Sequence, residues 1–472
     1  MAANPELHVL MVSQPYQGHL NPMLKFAIRL ASKGIHVTLA TTEIARHRMF
    51  KHKTSIASHL ETDSENPSIQ LAFFSDGLTL DFDRDANFDS YLNSMRIAGS
   101  ENFSKLVTNL TNKGQKFSCI IVNPFVPWFV DVAVDHGIPC AMLWIQACAI
   151  YSIYYRYFKN VNPFPKFENP NESFELPGIP SLKVKDLPSF ILPSSLPCFY
   201  EIVSEFVKRL DKVNWVLGSS FYELEEEIVK SMDSLTPIYP IGPLVSPLLL
   251  GEKESDSVSV DMWNTEDSCI KWLDNKQECS VIYISFGSIT VLNQQQVDNI
   301  AMALKNTKKP FLWVMKPPEK DSDKKIGELP SEFLEETKGM GLVVTWCPQE
   351  KVLMHKAVGC FMTHCGWNST LETVVAGVPV IGHPNWTDQP TNSFLLAQVF
   401  KNGVRMKFGE DGVVGAEEVE RCIMEVMEGP RSEEMRSRAM EFKVAAKKAL
   451  EIGGSSYGNI KKFISEIIGK ST

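Results

Sequence analysis

An α/β fold of two parallel-sheet domains facing one another across a cleft is what this sequence predicts. Three observations carry that expectation. Apolar runs of strand length alternate with runs of helical period. The alternation dissolves once, in YPIGPLVSPLLLGEKESDSVSVD, where prolines give way to acidic, serine-rich sequence, and then resumes. The chain has 472 residues, too many for one small domain at ~100–200 residues each.

In chain order, HVLMVS reads as a strand, QPYQGHLNP as a polar turn, MLKFAIRLASKG as a helix stopped by its glycine, and HVTLATTE as a second strand. That is a βαβ unit, so ligands are expected at the strand C-terminal ends. The pattern recurs in FSCIIVNPF, FVDVAVDHG and IPCAMLWIQA. After the break, SVIYISFGSI is a strand, QQQVDNIAMALKNT a helix, and PFLWVMK, GLVVTWCPQ and CFMTHCG are strands, with helices continuing to the end. The division falls at 245/246, giving domains 1–245 and 246–454. A cleft between two such domains is a preferred place for a small molecule.

Composition narrows the function classes. A formal charge of -9 argues against a nucleic-acid surface, which needs clustered Lys and Arg. No apolar run is long enough for a secretory leader or a membrane span, so a soluble, cytoplasmic protein is expected. Ten cysteines without a CxxC pair read as buried thiols and not as a disulfide framework or zinc site. DFD at 81–83 and DSD at 321–323 sit in charged loops and read as solvated acids. GSSYG at 454–458 imitates a nucleophile elbow, but no histidine follows it.

The informative stretch is THCGWNSTLETVVAG, residues 363 to 377. CFMTHCG delivers the chain from a buried strand to a helix, on which Ser369 and Glu372 have capping-box spacing. A helix start offers unpaired amides and a positive dipole end, which suit a phosphate. Gly366 lets backbone approach an anion, and His364, Asn368 and Ser369 add donors. A phosphate-bearing ligand follows.

The run from Trp346 to Gln389, WCPQEKVLMHKAVGCFMTHCGWNSTLETVVAGVPVIGHPNWTDQ, resembles the signature box of plant UDP-sugar glycosyltransferases. QGHLNPML, SSFYELE, YPIGPL and SVIYISFGS extend the resemblance over nearly the whole chain. It implies the GT-B fold, with the acceptor in the first domain, the nucleotide sugar in the second, and 455–472 crossing back to the first. It further implies that Trp346 stacks on uracil while the backbone of Cys347 pairs its edge, and that Gln349 and Glu372 hold the ribose hydroxyls. Ser288, His364, Asn368 and Ser369 would neutralise the diphosphate, and Trp367, Asp388 and Gln389 would grip the sugar. A box ending in Gln implies UDP-glucose as co-substrate. By the same resemblance His19 is the general base of a single inverting displacement, with no metal required and no covalently bound cofactor.

Two departures matter. Many relatives place an aspartate where this chain has Asn123, so His19 is expected to be a weaker base. Ile145 stands where a threonine often contacts the donor. Both resemble the branch that glucosylates carboxylic acids, whose pKa near ~4 leaves them ionised without a base. Phe125, Trp128, Trp144, Tyr151, Phe199, His383, Asn385 and Trp386 lie in segments that border the acceptor cleft in relatives. The expected enzyme is a monomer that glucosylates a phenolic hydroxyl or carboxylate of a flavonoid or phenolic acid. The alternatives are C-glucosylation of a polyphenol ring and a non-catalytic nucleotide-sugar sensor.

Overall fold

The computed structural model describes residues 7–51, 69–252, 268–287, 290–315 and 327–471. Ser288, the 321–323 acids and most of the acidic, serine-rich stretch lie outside the described residues.

The first half contributes β1 (His8–Val12), β2 (His36–Thr42), β3 (Ile69–Phe74), β4 (Cys119–Val122), β5 (Cys140–Trp144), a hairpin of β6 (Ser173–Leu176) and β7 (Ile179–Lys183), then β8 (Trp215–Gly218) and β9 (Ile238–Pro240). Its seven-stranded sheet runs β3-β2-β1-β4-β5-β8-β9, all parallel. The second half contributes β10 (Val281–Ser285), β11 (Phe311–Val314), β12 (Gly341–Val344), β13 (Val358–Thr363), β14 (Val380–Gly382) and β15 (Gly403–Arg405). They form a six-stranded parallel sheet in the order β12-β11-β10-β13-β14-β15. The central strands are short and almost wholly buried. That is why they read as continuous apolar runs without alternation: helices cover both faces.

Strand order reverses between β1 and β4 in one sheet and between β10 and β13 in the other. Ligands in open α/β sheets lie at such switch points, beyond the strand C-termini. The registers put the relevant residues level there. Val12 pairs with Val122, so the chain leaves β1 toward His19 beside Asn123. Ser285 pairs with Thr363, so Phe286 and Gly287 emerge beside His364.

The first helix departs from the sequence reading. It spans Gln17–Ala31, so His19 lies in its first turn and the expected turn is half helical. Pro22 sits inside this helix. Having no N–H, it cannot bond the Gly18 carbonyl one turn back, and Asn368 Nδ2 from the second half donates to that oxygen at 3.1 Å.

The last helix, Ser455–Ser471, packs on the first half. Ile460, Phe463 and Ile467 are buried with Val9, Met11 and Phe26, and Asn459 Nδ2 donates to Pro240 O at 2.8 Å. All ten cysteines are free thiols, and all but Cys198 and Cys279 are buried. Among the described residues no helix is long and apolar enough to cross a membrane.

Candidate active site

On the first-half side, Asn123 is fully buried at the end of β4. Its Oδ1 accepts from the Phe125 amide at 3.0 Å and meets His19 Nδ1 at 3.2 Å. The backbone donor fixes which way the carboxamide points, because an NH2 group there would face another N–H. Nδ1 of His19 therefore carries the proton and Nε2 keeps its lone pair. The ring meets Phe125 edge-on, with centroids 5.0 Å apart. Desolvation lowers its pKa to about 4, only partly opposed by the Asn123 bond. The imidazole is a neutral acceptor at physiological pH.

Across the cleft, His364 is wedged against two glycines. A Cβ on Gly287 would lie 2.6 Å from its Cε1, and one on Gly366 would lie 2.5 Å from its Nε2. Burial, with His383 adding to it, holds His364 near a pKa of about 4. The following helix spans Trp367–Ala376 with Gly366 as its N-cap and no side-chain cap. This overturns the capping-box expectation: Ser369 is the third helical residue, and Glu372 is engaged elsewhere. The first-turn amides stay open for a ligand.

Glu372 faces a small polar cluster. Its Oε2 accepts from Gln349 Nε2 at 2.7 Å, and that same nitrogen donates to Ser369 Oγ at 3.0 Å. Tyr283 OH donates to Gln349 Oε1 at 3.0 Å and lies 3.3 Å from Cys347 Sγ. Lys25, from the His19 helix, reaches Glu372 Oε1 at 3.4 Å and Glu350 Oε1 at 3.3 Å. Burial raises the Glu372 pKa, with Lys25 opposing. Trp346 stands half-buried beside this cluster in sequence.

The loop after β14 presents Asp388 and Gln389. Gln389 Oε1 accepts from the amides of Asn385 and Trp386 at 2.9 and 3.2 Å, which leaves its Nε2 to donate. Asp388 accepts from Asn392 Nδ2 at 2.8 Å and Thr387 Oγ1 at 2.5 Å, and burial raises its pKa. An aromatic wall joins this loop to the histidine. From His19 it runs through Phe125 to Phe190, which stacks on Phe199 at 4.5 Å and 3°, and Phe199 meets Trp386 at 5.7 Å.

The structure gives several of the expected contact residues, and one acidic triplet, other partners. Trp367 is buried and its Nε1 donates to Ser219 Oγ at 3.1 Å, so its indole closes the junction between the halves. Trp144 and Tyr151 are core: Trp144 Nε1 bonds Ala147 O, Tyr151 OH bonds Thr236 O, and both rings pack on Phe206. Trp128, Ile145 and His383 are also buried. Asp83 of the DFD triplet caps a turn, accepting from the amides of Asp85 and Ala86.

Sequence reasoning missed Phe190 and Lys25. Phe190 lies in LPSFILPSS, where no chemical pattern sets it apart from its apolar neighbours. Lys25 lies in MLKFAIRLASKG, and no local pattern there says what stands opposite it.

Residues 261–440 match the family described as UDP-glucoronosyl and UDP-glucosyl transferase. UDP-glycosyltransferase 84B2 of Arabidopsis thaliana is 50% identical, over 97% of this chain and 99% of that one. A gallate 1-beta-glucosyltransferase of Quercus robur is 41% identical, over 100% of this chain and 92% of its own. A crystal structure of Os79 from O. sativa in complex with UDP has TM-score 0.82 and 31% identity, covering 97% of this chain and 100% of that one. With a GT-B architecture of two facing parallel sheets, a polar helix start at one switch point and a neutral histidine at the other, the chain belongs to the UDP-glycosyltransferase family, enzymes that use a UDP-sugar as co-substrate.

Proposed function

We propose that the enzyme moves glucose from UDP-glucose to an aromatic carboxylic acid, forming a glucose ester, with acidic phenols such as flavonoids as secondary acceptors. The observation that carries this reading is the His19–Asn123 pair. An imidazole whose pKa is lowered to about 4 and whose partner is an uncharged amide is a weak base. A phenol near pKa ~10 asks much of such a base, whereas a carboxylic acid near ~4 is ionised already. The Quercus robur relative, named a gallate 1-beta-glucosyltransferase, supports the same class.

In this reading residues 1–245 bind the acceptor, 246–454 bind the nucleotide sugar, and 455–472 brace the first half. The acceptor lies against Phe125, Phe190, Phe199 and Trp386, its nucleophilic oxygen beside His19 Nε2. That oxygen attacks the anomeric carbon from the face opposite UDP, so the configuration inverts. The open amides of Trp367, Asn368 and Ser369, with Ser288 and His364, take the charge that develops on the departing diphosphate. Trp346 and Cys347 hold uracil, Gln349 and Glu372 the ribose, and Asp388 and Gln389 the glucose hydroxyls. No step calls for a metal, the protein acts as a cytoplasmic monomer, and a chelator should leave its rate unchanged.

The test supplies UDP-glucose with a panel of phenolic acids and flavonoids and sorts products by stability. Esters are cleaved by mild base, O-glucosides by acid, and C-glucosides by neither. Ester formation with the highest kcat/KM supports the proposal. Phenolic O-glucosides alone would reject the carboxylate preference, and UDP-glucose binding without turnover under any acceptor would reject the enzyme.

A further inference from the structure

We infer that Lys25, a residue of the acceptor half, is a positioning residue for the nucleotide's ribose: it holds the Glu372 carboxylate in the orientation that accepts two vicinal hydroxyls. The inference rests on the proposed UDP-glucose reading and deepens it. In that reading the ribose site belongs entirely to the other half of the molecule.

The contacts are specific. Lys25 Nζ lies 3.4 Å from Glu372 Oε1 and 3.3 Å from Glu350 Oε1, and the Lys25 side chain is only 17% exposed. Ser246 Oγ takes the second oxygen of Glu350, and Gln349 Nε2 takes the second oxygen of Glu372 at 2.7 Å. Each Glu372 oxygen therefore has one protein donor and, with two lone-pair sites per oxygen, keeps one for a ligand hydroxyl. A carboxylate held from both sides in this way matches the geometry of a diol.

Charge makes the lysine necessary. Glu350 lies close enough to disfavour the charge on Glu372, which is buried. Two neighbouring carboxylates cannot both stay ionised cheaply in such a site without a cation between them. Lys25 opposes the effect of burial and favours the charged carboxylate, which acts purely as an acceptor. Its removal would favour the protonated form further, at the cost of an acceptor position.

The same helix is fastened a second time. Asn368, at the start of the helix that faces the diphosphate, donates to the Gly18 carbonyl that Pro22 leaves free. His19 lies between these fastenings, next to Gly18. Seating the ribose and placing the base are thus two ends of one rigid element.

The experiment compares UDP-glucose with its 2′-deoxyribose analogue as donor, for the wild type and for Lys25→Met, Lys25→Gln and Lys25→Arg. The ratio of kcat/KM for the two donors does not depend on how much of a preparation is folded. Lys25→Met and Lys25→Gln should raise KM for UDP-glucose roughly tenfold or more, the scale of one charged hydrogen bond, and should shrink the discrimination ratio toward one. Lys25→Arg should restore much of it. An unchanged ratio in the neutral variants, whatever their activity, overturns the inference while leaving the glucosyltransferase reading intact. A wild type that ignores the missing hydroxyl overturns the assignment of Glu372 to the ribose, and the inference with it.

Discussion

At the scale of single residues, the proposed acceptor preference turns on one member of a hydrogen-bonded pair. Asn123 does for His19 everything an aspartate would do geometrically: it accepts from Nδ1 and is itself oriented by the Phe125 amide. It adds no negative charge to stabilise an imidazolium. His19→Ala should therefore cost most with neutral phenols, about 100-fold or more in kcat/KM on the scale of general-base catalysis, and much less with carboxylates. Asn123→Asp should raise the imidazole pKa above its present value of about 4 and improve phenols selectively. Profiles of kcat/KM against pH for one phenol and one carboxylic acid check both, and equal losses for the two acceptors in His19→Ala would show that the ring only positions them. The departure from aspartate was legible in the sequence because it falls inside a recognisable motif. The tautomer was not, since it depends on an amide two residues further along a folded loop.

At the scale of elements, strand-to-helix transitions were readable and their caps were not. Ser369 and Glu372 have the right spacing for a capping box, yet the helix begins two residues earlier at Trp367, on the extended backbone of Gly366. A partner from outside the helix, Gln349, claims Glu372, and no local pattern carries that information. Gly366 also has a second role that φ does not reveal, since its backbone is one any residue can adopt, φ -62 and ψ 143. What it supplies is space for His364, whose Nε2 would meet an added Cβ at 2.5 Å. Gly366→Ala should push the imidazole out of the diphosphate site without unfolding the helix, whose other contacts are untouched. UDP affinity by calorimetry should fall about tenfold or more, the worth of one charge-assisted hydrogen bond, with the melting temperature little changed. Unaltered UDP affinity would mean that His364 does not contact the diphosphate.

At the scale of the whole molecule, the two-sheet architecture followed from alternation alone, while the way the halves are held together did not, because each bond across the cleft joins residues far apart in the chain. Burial of histidine gives the molecule a shared acid sensitivity. His19, His364 and His383 each have a folded pKa of about 4 against ~6.5 unfolded. Below pH ~6.5 the unfolded chain takes up protons that the folded one refuses. Their stability contribution is therefore complete above that pH and is lost as pH falls toward 4, by at most ~1.4 kcal/mol per pH unit for each ring. Among the described residues His383 has no hydrogen-bond partner on either ring nitrogen, and it sits between the rings of Phe286 and Phe408. His383→Phe should hence flatten the fall in melting temperature between pH 7 and 5, and an equally steep fall would remove His383 from this account.

A second consequence of the joined halves concerns water. Residues 184–191 belong to the first half and carry Phe190, yet they are fastened to the loop that presents Asp388 and Gln389. Ser189 N donates to Thr387 O at 2.8 Å, Thr387 N donates back to Ser189 Oγ at 2.8 Å, Thr391 Oγ1 donates to Asp186 O at 2.7 Å, and Arg405 pairs with Asp186. In the proposed reading these bonds tie the acceptor wall to the sugar-holding loop and would keep an acceptor stacked on Phe190 in register with the glucose. Loosening the strap should leave uracil, ribose and diphosphate contacts as they are, since none of those residues touches it. What it should damage is the exclusion of water from the space between acceptor and sugar. Arg405→Met removes one partner of a pair whose carboxylate side chain is 7% exposed, so Asp186 loses its counter-charge, keeping only the Lys183 amide, and the strap weakens. The expected result is an acceptor KM raised about tenfold, an unchanged Kd for UDP, and a larger share of UDP-glucose hydrolysed per glucosylated product. General loss of folding would lower hydrolysis and transfer in proportion, so a constant ratio of the two would show that the strap does not couple the acceptor wall to the sugar.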